Sequence, residues 1–317
     1  MPGQPPEGPD GTSPRLGPEV RGPEVGGPEV RGPGVRGRLA IIAGGGRLPH
    51  HVADAARAHG ENPYIIALTG EAGDGWSGYD NRTLGIGNFR DISATFRREG
   101  IDRVVLTGGV QRRPEWRDIR PTLKTLSRVP AVLKTLISGG DDAVLKMAIA
   151  LIEASGARVI GVQDIVPELL AEIGPIGRIV PDSDAQRDIA AATAAANALG
   201  ALDVGQGAIA VGGRVVALEG PEGTDAMIAR VAGLRRDGRI SQRRRGVLVK
   251  LCKPQQDLRA DLPSIGPSTV ESALAAGLAG IAVEAGRALV LERAATIALA
   301  DRSGLFVTGL DRTQPLV

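Results

Sequence analysis

The stretch RLAIIAGGGRLPHHVADAARAHG, Arg38–Gly60, decides the fold class. RLAIIA is an apolar run of strand length, and GGG is a tight turn. RLPHHVADAARAHG then spaces its apolar residues as an amphipathic helix does and closes on Gly60. Strand, glycine turn and helix together open a βαβ unit.

The pattern continues outward. PYIIAL reads as the next strand, DISATFRREG as a helix closed by glycine, and DRVVLTGGV as a strand. Helices follow at about 121–137 and 142–155, then the strand RVIGV. Strands alternating with helices predict a parallel, doubly wound sheet, an α/β fold of Rossmann-like type. The second half changes character. DSDAQRDIAAATAAANALG is a helix, and GAIAVGGRVVALEG is a hairpin turning on Gly-Gly. After it come a helix from PEGTDAM, the strand GVLVKLCK, a polar loop, a helix at about 267–278 and GIAVEAGRALVLER, which reads as a second hairpin-like run. This mixture predicts a distinct α+β domain. The expected organisation is a Gly/Pro-rich tail at 1–37, a Rossmann-like domain at 38–163 and a C-terminal catalytic domain at 164–317, joined around QDIVPELL.

The tail carries the repeat GPEVR GPEVG GPEVR GPGVR. It is too poor in large apolar groups to offset its ordering entropy, so disorder is expected there. It reads either as a partner-binding tail or as a product of replication slippage or of start-site choice.

Composition narrows the function. A chain of 317 residues, 42% of them hydrophobic, suffices for two buried cores. With two Trp, two Tyr and three Phe, those cores must be aliphatic. Lys and Arg number 38 against 36 Asp and Glu, a balance that argues against a general nucleic-acid binder. The basic run Arg243–Arg245 is short and reads as a solvated turn. Cys252 stands alone, which suits a reducing cytoplasm, and no Cys/His spacing suits zinc. Any metal would therefore be hard and held by carboxylates and water. The sequence shows no transmembrane run and no signal peptide.

Several stretches could carry chemistry, each with a plain structural alternative. In AGGGRLP the backbone of Gly45 and Gly46 could approach a phosphate, or simply turn a strand into a helix. GGVQRRPE, with Gly109, Arg112 and Arg113, follows the carboxyl end of a parallel strand, where ligands bind in open α/β sheets. Asp141 and Asp142 begin a helix, a position that favours capping. Gln206 lies between two glycines. Lys250, Lys253, Gln255 and Asp257 crowd the stretch VKLCKPQQDLRADLPSIG, whose cations suit phosphate and whose acids suit a metal or a ribose. Cys252 reads as a strand residue rather than a nucleophile. In PEGTDAM, Thr224 or Asp225 could cap the following helix. Alternatively Asp225 could hold a metal or activate water.

Taken together and in order, AGGGRLP, GGVQRRPE, GDDAVLK, DVGQGAI, EGTDAM, KPQQDLRADLPSIG and GLAGIAVEAG resemble one family over about residues 38–311. It is the UDP-2,3-diacylglucosamine pyrophosphatase of lipid A biosynthesis, of the type unrelated to calcineurin-like phosphoesterases. The resemblance implies a cytoplasmic, Mg²⁺-dependent enzyme of a Gram-negative bacterium. Its reaction yields UMP and 2,3-diacylglucosamine 1-phosphate, with water attacking the phosphorus nearer the sugar. The substrate would sit between a Rossmann-like domain and a distinct C-terminal domain. The family's essential aspartate maps onto Asp225, and Arg113, beside Pro114, fits the family arginine. On this reading the substrate is bound by Gly45, Gly46, Gly109, Arg113, Asp142, Gln206, Thr224, Lys250, Lys253 and Gln255. Asp225 and Asp257 would serve Mg²⁺. The expected partner is a small glycolipid nucleotide and not nucleic acid, with room for peripheral membrane contact and for a homodimer. Two competing readings stand beside it. One is a nucleotide-sugar or lipid binding protein on the same scaffold. The other is a dinucleotide oxidoreductase, disfavoured because Glu71 comes too late after the second strand.

Overall fold

The computed structural model describes residues 37–110, 141–260 and 262–312. The repeat through Arg36, Arg112, Arg113 and the helix expected at 121–137 lie outside the described residues.

The N-terminal half forms β1 (Arg38–Ala43), α1 (Leu48–Ala58), β2 (Tyr64–Leu68), β3 (Asn81–Leu84), α2 (Phe89–Glu99), β4 (Ile101–Thr107), α3 (Asp141–Ala154) and β5 (Arg158–Ile160). Its five strands are all parallel, in the order β3-β2-β1-β4-β5. Alternate residues of β1 serve opposite faces. Leu39, Ile41 and Ala43 pack with Val52 and Ala56 of α1. Ala40 and Ile42 pack with Ile92 and Phe96 of α2 and Ile149 of α3. Burial on both faces explains the unbroken apolar strands. Each buried Leu or Ile contributes about 1.5–3 kcal/mol. Helix α2 starts at Phe89, earlier than its apolar spacing suggests, because the Asn88 side chain accepts from Asp91 N. Gly100 ends it with φ +66°. Strand β3 is a short, largely polar edge, so it leaves no apolar run in the sequence.

The C-terminal half adds β6 (Gly174–Pro175), α4 (Ser183–Ala201), β7 (Gly207–Val211), β8 (Arg214–Leu218), α5 (Gly223–Arg236), β9 (Gly246–Lys250), β10 (Ser264–Ile265), α6 (Pro267–Ala275), β11 (Leu278–Glu284), β12 (Leu289–Val290), α7 (Arg293–Arg302) and β13 (Phe306–Leu310). A mixed six-stranded sheet runs β6-β13-β11-β9-β7-β8, and β10 pairs in parallel with β12 in a separate two-stranded ribbon. The β7–β8 hairpin forms as its sequence predicts, with Gly212 at φ +63° and Gly213 at φ +78° supplying the primed turn. Helix α4 covers one face through Ile189, Ala192 and Ala196. The opposite face packs on Met227 and Val231 of α5 and Val270 of α6.

The second predicted hairpin does not form. Strand β11 lies between β9 and β13 and is parallel to both, while β12 belongs to the other ribbon. A doubly buried parallel strand and a hairpin arm present the same apolar run, and only the partner tells them apart. Helix α7 and strand β13, which the sequence reading left unassigned, make the crossover that returns the chain parallel to β11.

Candidate active site

The glycine turns come first. Strands β1 and β4 are neighbours where the strand order reverses, the place where open α/β sheets form a ligand crevice. Their following loops are laced together. Gly44 N donates to Thr107 O at 2.8 Å, Gly45 N to Gly109 O at 2.7 Å and Gly109 N to Gly45 O at 3.0 Å. Only glycine allows this approach. A Cβ on Gly44 would stand 2.5 Å from Gly109 O, and one on Gly108, at φ +90°, 2.7 Å from Gly45 O. The N–H groups of Gly45 and Gly109 therefore bind each other's loops, so the Gly45 N–H is already engaged within the protein. The loops instead form a wall of a cavity of about 330 Å³, together with Thr107, Gln163, Leu258, Ala260, Leu262 and Ser264. Thr107 Oγ1 and Gln163 Oε1 are buried without a hydrogen-bond partner among the described residues. Such atoms are rare in folded proteins, and both residues belong to this wall.

A second cavity, of about 370 Å³, shares Arg47, Ser264 and Leu291 with the first, so the two form one cleft. Two helix N-termini border it: the first turn of α5 with Thr224 and Asp225, and Gly266 to Thr269 at the start of α6. Lys250, at the end of β9, is 9% exposed and its Nζ donates to Ser264 O at 3.1 Å. Arg47 and Glu292 complete the rim and pair at 3.1 Å. Helix N-termini carry positive partial charge. With Lys250 and Arg47 they favour an anion, while Asp225 and Glu292 supply carboxylates.

The structure excludes the capping alternative for PEGTDAM. Glu222 occupies the N-cap position, and no side chain caps α5. Gly223, at φ +82°, turns the chain into the helix, and its N–H is satisfied by Gly220 O at 3.1 Å. Thr224 and Asp225 thus lie inside the first turn and neither caps it. The Thr224 hydroxyl donates to Glu219, and the exposed Asp225 lines the cleft.

Family models give the same division of the chain into two parts: the LpxI N-terminal domain matches residues 38–169 and the LpxI C-terminal domain matches 172–308. The chain belongs to the LpxI family. A relative from Caulobacter vibrioides, the UDP-2,3-diacylglucosamine pyrophosphatase LpxI, is 40% identical over 275 residues, covering 86% of this chain and 98% of that protein.

Against this LpxI background, the residues singled out in the sequence separate into two groups. The structure gathers Gly45, Gly46 and Gly109 on one part of the cleft and Thr224, Asp225 and Lys250 on the other. Lys253, Gln255 and Asp257 instead brace the polar loop after β9. Lys253 Nζ pairs with Asp203 at 2.7 Å, and Gln255 Nε2 donates to Gly200 O at 2.9 Å. Asp257 spends both oxygens on Arg259, whose hydrogen bonds hold its carboxyl below the usual carboxylate range. Arg259 also reaches Glu153 of α3 at 2.8 Å, so this loop is pinned to the N-terminal half. Gln206 holds the sheet through its backbone, and its Oε1 is buried without a partner among the described residues. Cys252 is buried and donates from Sγ to Gln256, consistent with a structural role. Asp142 is the second residue of α3, with its side chain outside the described residues. The sequence reading missed Glu219, Ser264 and Glu292. Arg47 stood inside AGGGRLP, where only the glycines drew notice.

Proposed function

We propose that this chain hydrolyses the pyrophosphate bond of UDP-2,3-diacylglucosamine, giving UMP and 2,3-diacylglucosamine 1-phosphate for lipid A synthesis. The observation that supports this most is Asp225. In an LpxI-family chain it stands exposed in a cleft that favours anions, with no capping bond and no ion pair among the described residues. On this reading Asp225 orients a water molecule and takes its proton as the water attacks the phosphorus nearer the sugar. The bond from that phosphorus to the bridging oxygen breaks, and UMP leaves with the bridging oxygen. Lys250, Arg47 and the starts of α5 and α6 offset the negative charge that grows on the phosphoryl oxygens. The acyl chains need apolar walls, and the lipid substrate brings the protein to a membrane surface on the cytoplasmic side. No helix among the described residues is long and apolar enough to cross a membrane.

Magnesium is part of the proposal. Mg²⁺ prefers oxygen ligands and is often held by one or two carboxylates plus substrate phosphates. Asp225 and Glu292, with the hydroxyl of Thr224 nearby, fit that donor set. Asp257, saturated by Arg259, does not. Among the described residues no group of three or more His, Cys, Asp or Glu could hold a metal, so the substrate's own oxygens would complete the shell. When bound, the cation would supply positive charge at the pyrophosphate and help ionise water.

The test is turnover in water enriched in the heavy oxygen isotope, with products weighed by mass spectrometry. The label is expected in 2,3-diacylglucosamine 1-phosphate. Label in UMP would place the attack on the other phosphorus. Substrate binding without any UMP would make the chain a binding protein on this scaffold.

A further inference from the structure

Strand β8 is the outer edge of the six-stranded sheet, and its last residue, Leu218, lies opposite Ala208 of β7. Gly207, one place earlier, lies opposite Lys250. Leu218 and the turn that enters β7 therefore stand at the same end of the sheet as the cleft. At that end large apolar side chains face solvent. Leu202 is 75% exposed, Val204 48% and Leu218 43%. Their segments run side by side, close enough that a Cβ on Gly205 would collide with Glu219 O. Glu219, buried next to Leu218, accepts from Gln206 N at 3.1 Å and from Thr224 Oγ1 at 2.6 Å, and Thr224 lines the cleft. The patch is thus continuous with the cleft wall. Exposed apolar residues scattered singly are ordinary, whereas a gathered group marks an interaction surface.

The turn that presents Leu202 and Val204 is strained. Asp203 has φ +55°, in the left-handed region that only glycine enters freely. Its carboxylate pairs with Lys253 Nζ at 2.7 Å, with both side chains mostly buried, and its N–H donates to Gly200 O at 3.1 Å. Such strain persists where surrounding contacts over-determine it, and it gathers at functional surfaces. The nearby charges are already paired. Lys253 holds Asp203, and Arg230, which donates to Leu218 O at 2.6 Å, meets Glu222 at 3.2 Å. The patch is therefore apolar with balanced charge.

We propose that Leu202, Val204 and Leu218 form the surface by which the chain enters the interface of a lipid bilayer. A charge-balanced apolar tip partitions by removing apolar area from water, not by attraction to headgroups. Its place beside the cleft suits a substrate that must leave a membrane. The inference rests on the reading of that substrate as a diacylated nucleotide sugar, and the experiment keeps the two apart.

Sedimentation with vesicles of phosphatidylethanolamine and phosphatidylglycerol, without substrate, is measured for the full chain, Leu202→Ser, Leu202→Ser/Val204→Ser and Leu274→Ser. Leu274 is an exposed control at the end of α6 away from the cleft. Circular dichroism and Tm confirm that each is folded, and light scattering gives its oligomeric state. The double variant is expected to bind vesicles about tenfold more weakly than wild type, the single variant to fall between them, and Leu274→Ser to match wild type. Wild-type binding is expected to change less than about twofold between low and high salt. UMP release from substrate held in vesicles is expected to fall about tenfold in the double variant, with release from detergent-dispersed substrate within about twofold of wild type. Wild-type vesicle binding by the double variant, or no binding by wild type, would overturn the inference. An equal loss of turnover in detergent would assign these residues to the substrate's acyl chains, and a dimer broken by the double variant would make the patch a subunit interface. Either would overturn it too. Patch-dependent vesicle binding by a wild type that releases no UMP would leave the inference standing and remove the hydrolase reading.

Discussion

Arg47 Nη1 donates to Glu292 Oε2 at 3.1 Å, across 245 positions of the chain, and closes the rim where the two cavities meet. The pair joins the start of α1 to the start of α7. Arg47 is 85% exposed, so the bond contributes little to stability. Its guanidinium is better placed to meet an anion in the cleft. Arg47→Ala is expected to change folding stability by under about 1 kcal/mol. It is expected to raise KM roughly tenfold and to weaken the dependence of KM on salt. An ionic-strength series of KM checks this. A large drop in Tm with unchanged KM would make the pair a structural clasp.

The glycines of the β1 and β4 loops should not be equally tolerant. A Cβ at Gly108 would stand 2.8 Å from Pro49 Cγ as well as 2.7 Å from Gly45 O, whereas one at Gly46 meets nothing within 4 Å. Both have positive φ. Gly46→Ala is expected to cost about 1–2 kcal/mol from backbone strain alone. Gly108→Ala should add about 1–3 kcal/mol of overpacking to a similar strain. Urea unfolding of both variants measures the gap, and equal losses would contradict the interlaced-loop description.

Acid should loosen the loop after β9. Hydrogen bonds from Arg259 hold the Asp257 carboxyl below its ordinary value. A depressed carboxylate pKa means that the stabilisation is present above the unfolded value, about 4, and fades as pH falls through the folded value. Tm measured from about pH 6 to pH 3 is expected to fall less steeply in Asp257→Asn than in wild type. At neutral pH that variant should be less stable by about 1 kcal/mol, since the pair is partly exposed. Parallel pH profiles would remove Asp257 from this role.

Lys250 is nearly buried at the cleft and bonded to Ser264 O. Lys250→Met keeps the stem and removes the charge. Bonds to a charged group contribute more than neutral ones, so kcat/KM is expected to fall roughly 10- to 100-fold. Folding stability should change less, because burying the ammonium is itself unfavourable. Unchanged kcat/KM would place the anion elsewhere.

The sequence made the layered α/β plan legible because its strands, glycine turns and capped helices each have a local cause. RLAIIAGGG and GAIAVGGRVV show strand and turn within ten residues. The partner of an apolar run has no local cause, and for that reason β11 and β12 were mistaken for a hairpin. The candidate cleft was legible where a motif supplies its lining, as at Asp225 and Lys250. Lys253, Gln255 and Asp257 look like ligand-binding residues by type, yet Asp203, Gly200 and Arg259 occupy them. Glu219 was invisible because an acid before a glycine reads as a solvated turn until Thr224 and Gln206 are found around it.

The most direct test follows UMP release from UDP-2,3-diacylglucosamine by purified wild-type and Asp225→Ala protein, with Mg²⁺ and with chelator, alongside calorimetric binding of the substrate. Wild type is expected to release UMP only with the cation. Asp225→Ala is expected to bind substrate yet release UMP at least about 100-fold more slowly, as loss of a proton-accepting group implies. Wild-type turnover by Asp225→Ala, or binding without UMP release by wild type, would contradict the assignment of hydrolysis to Asp225.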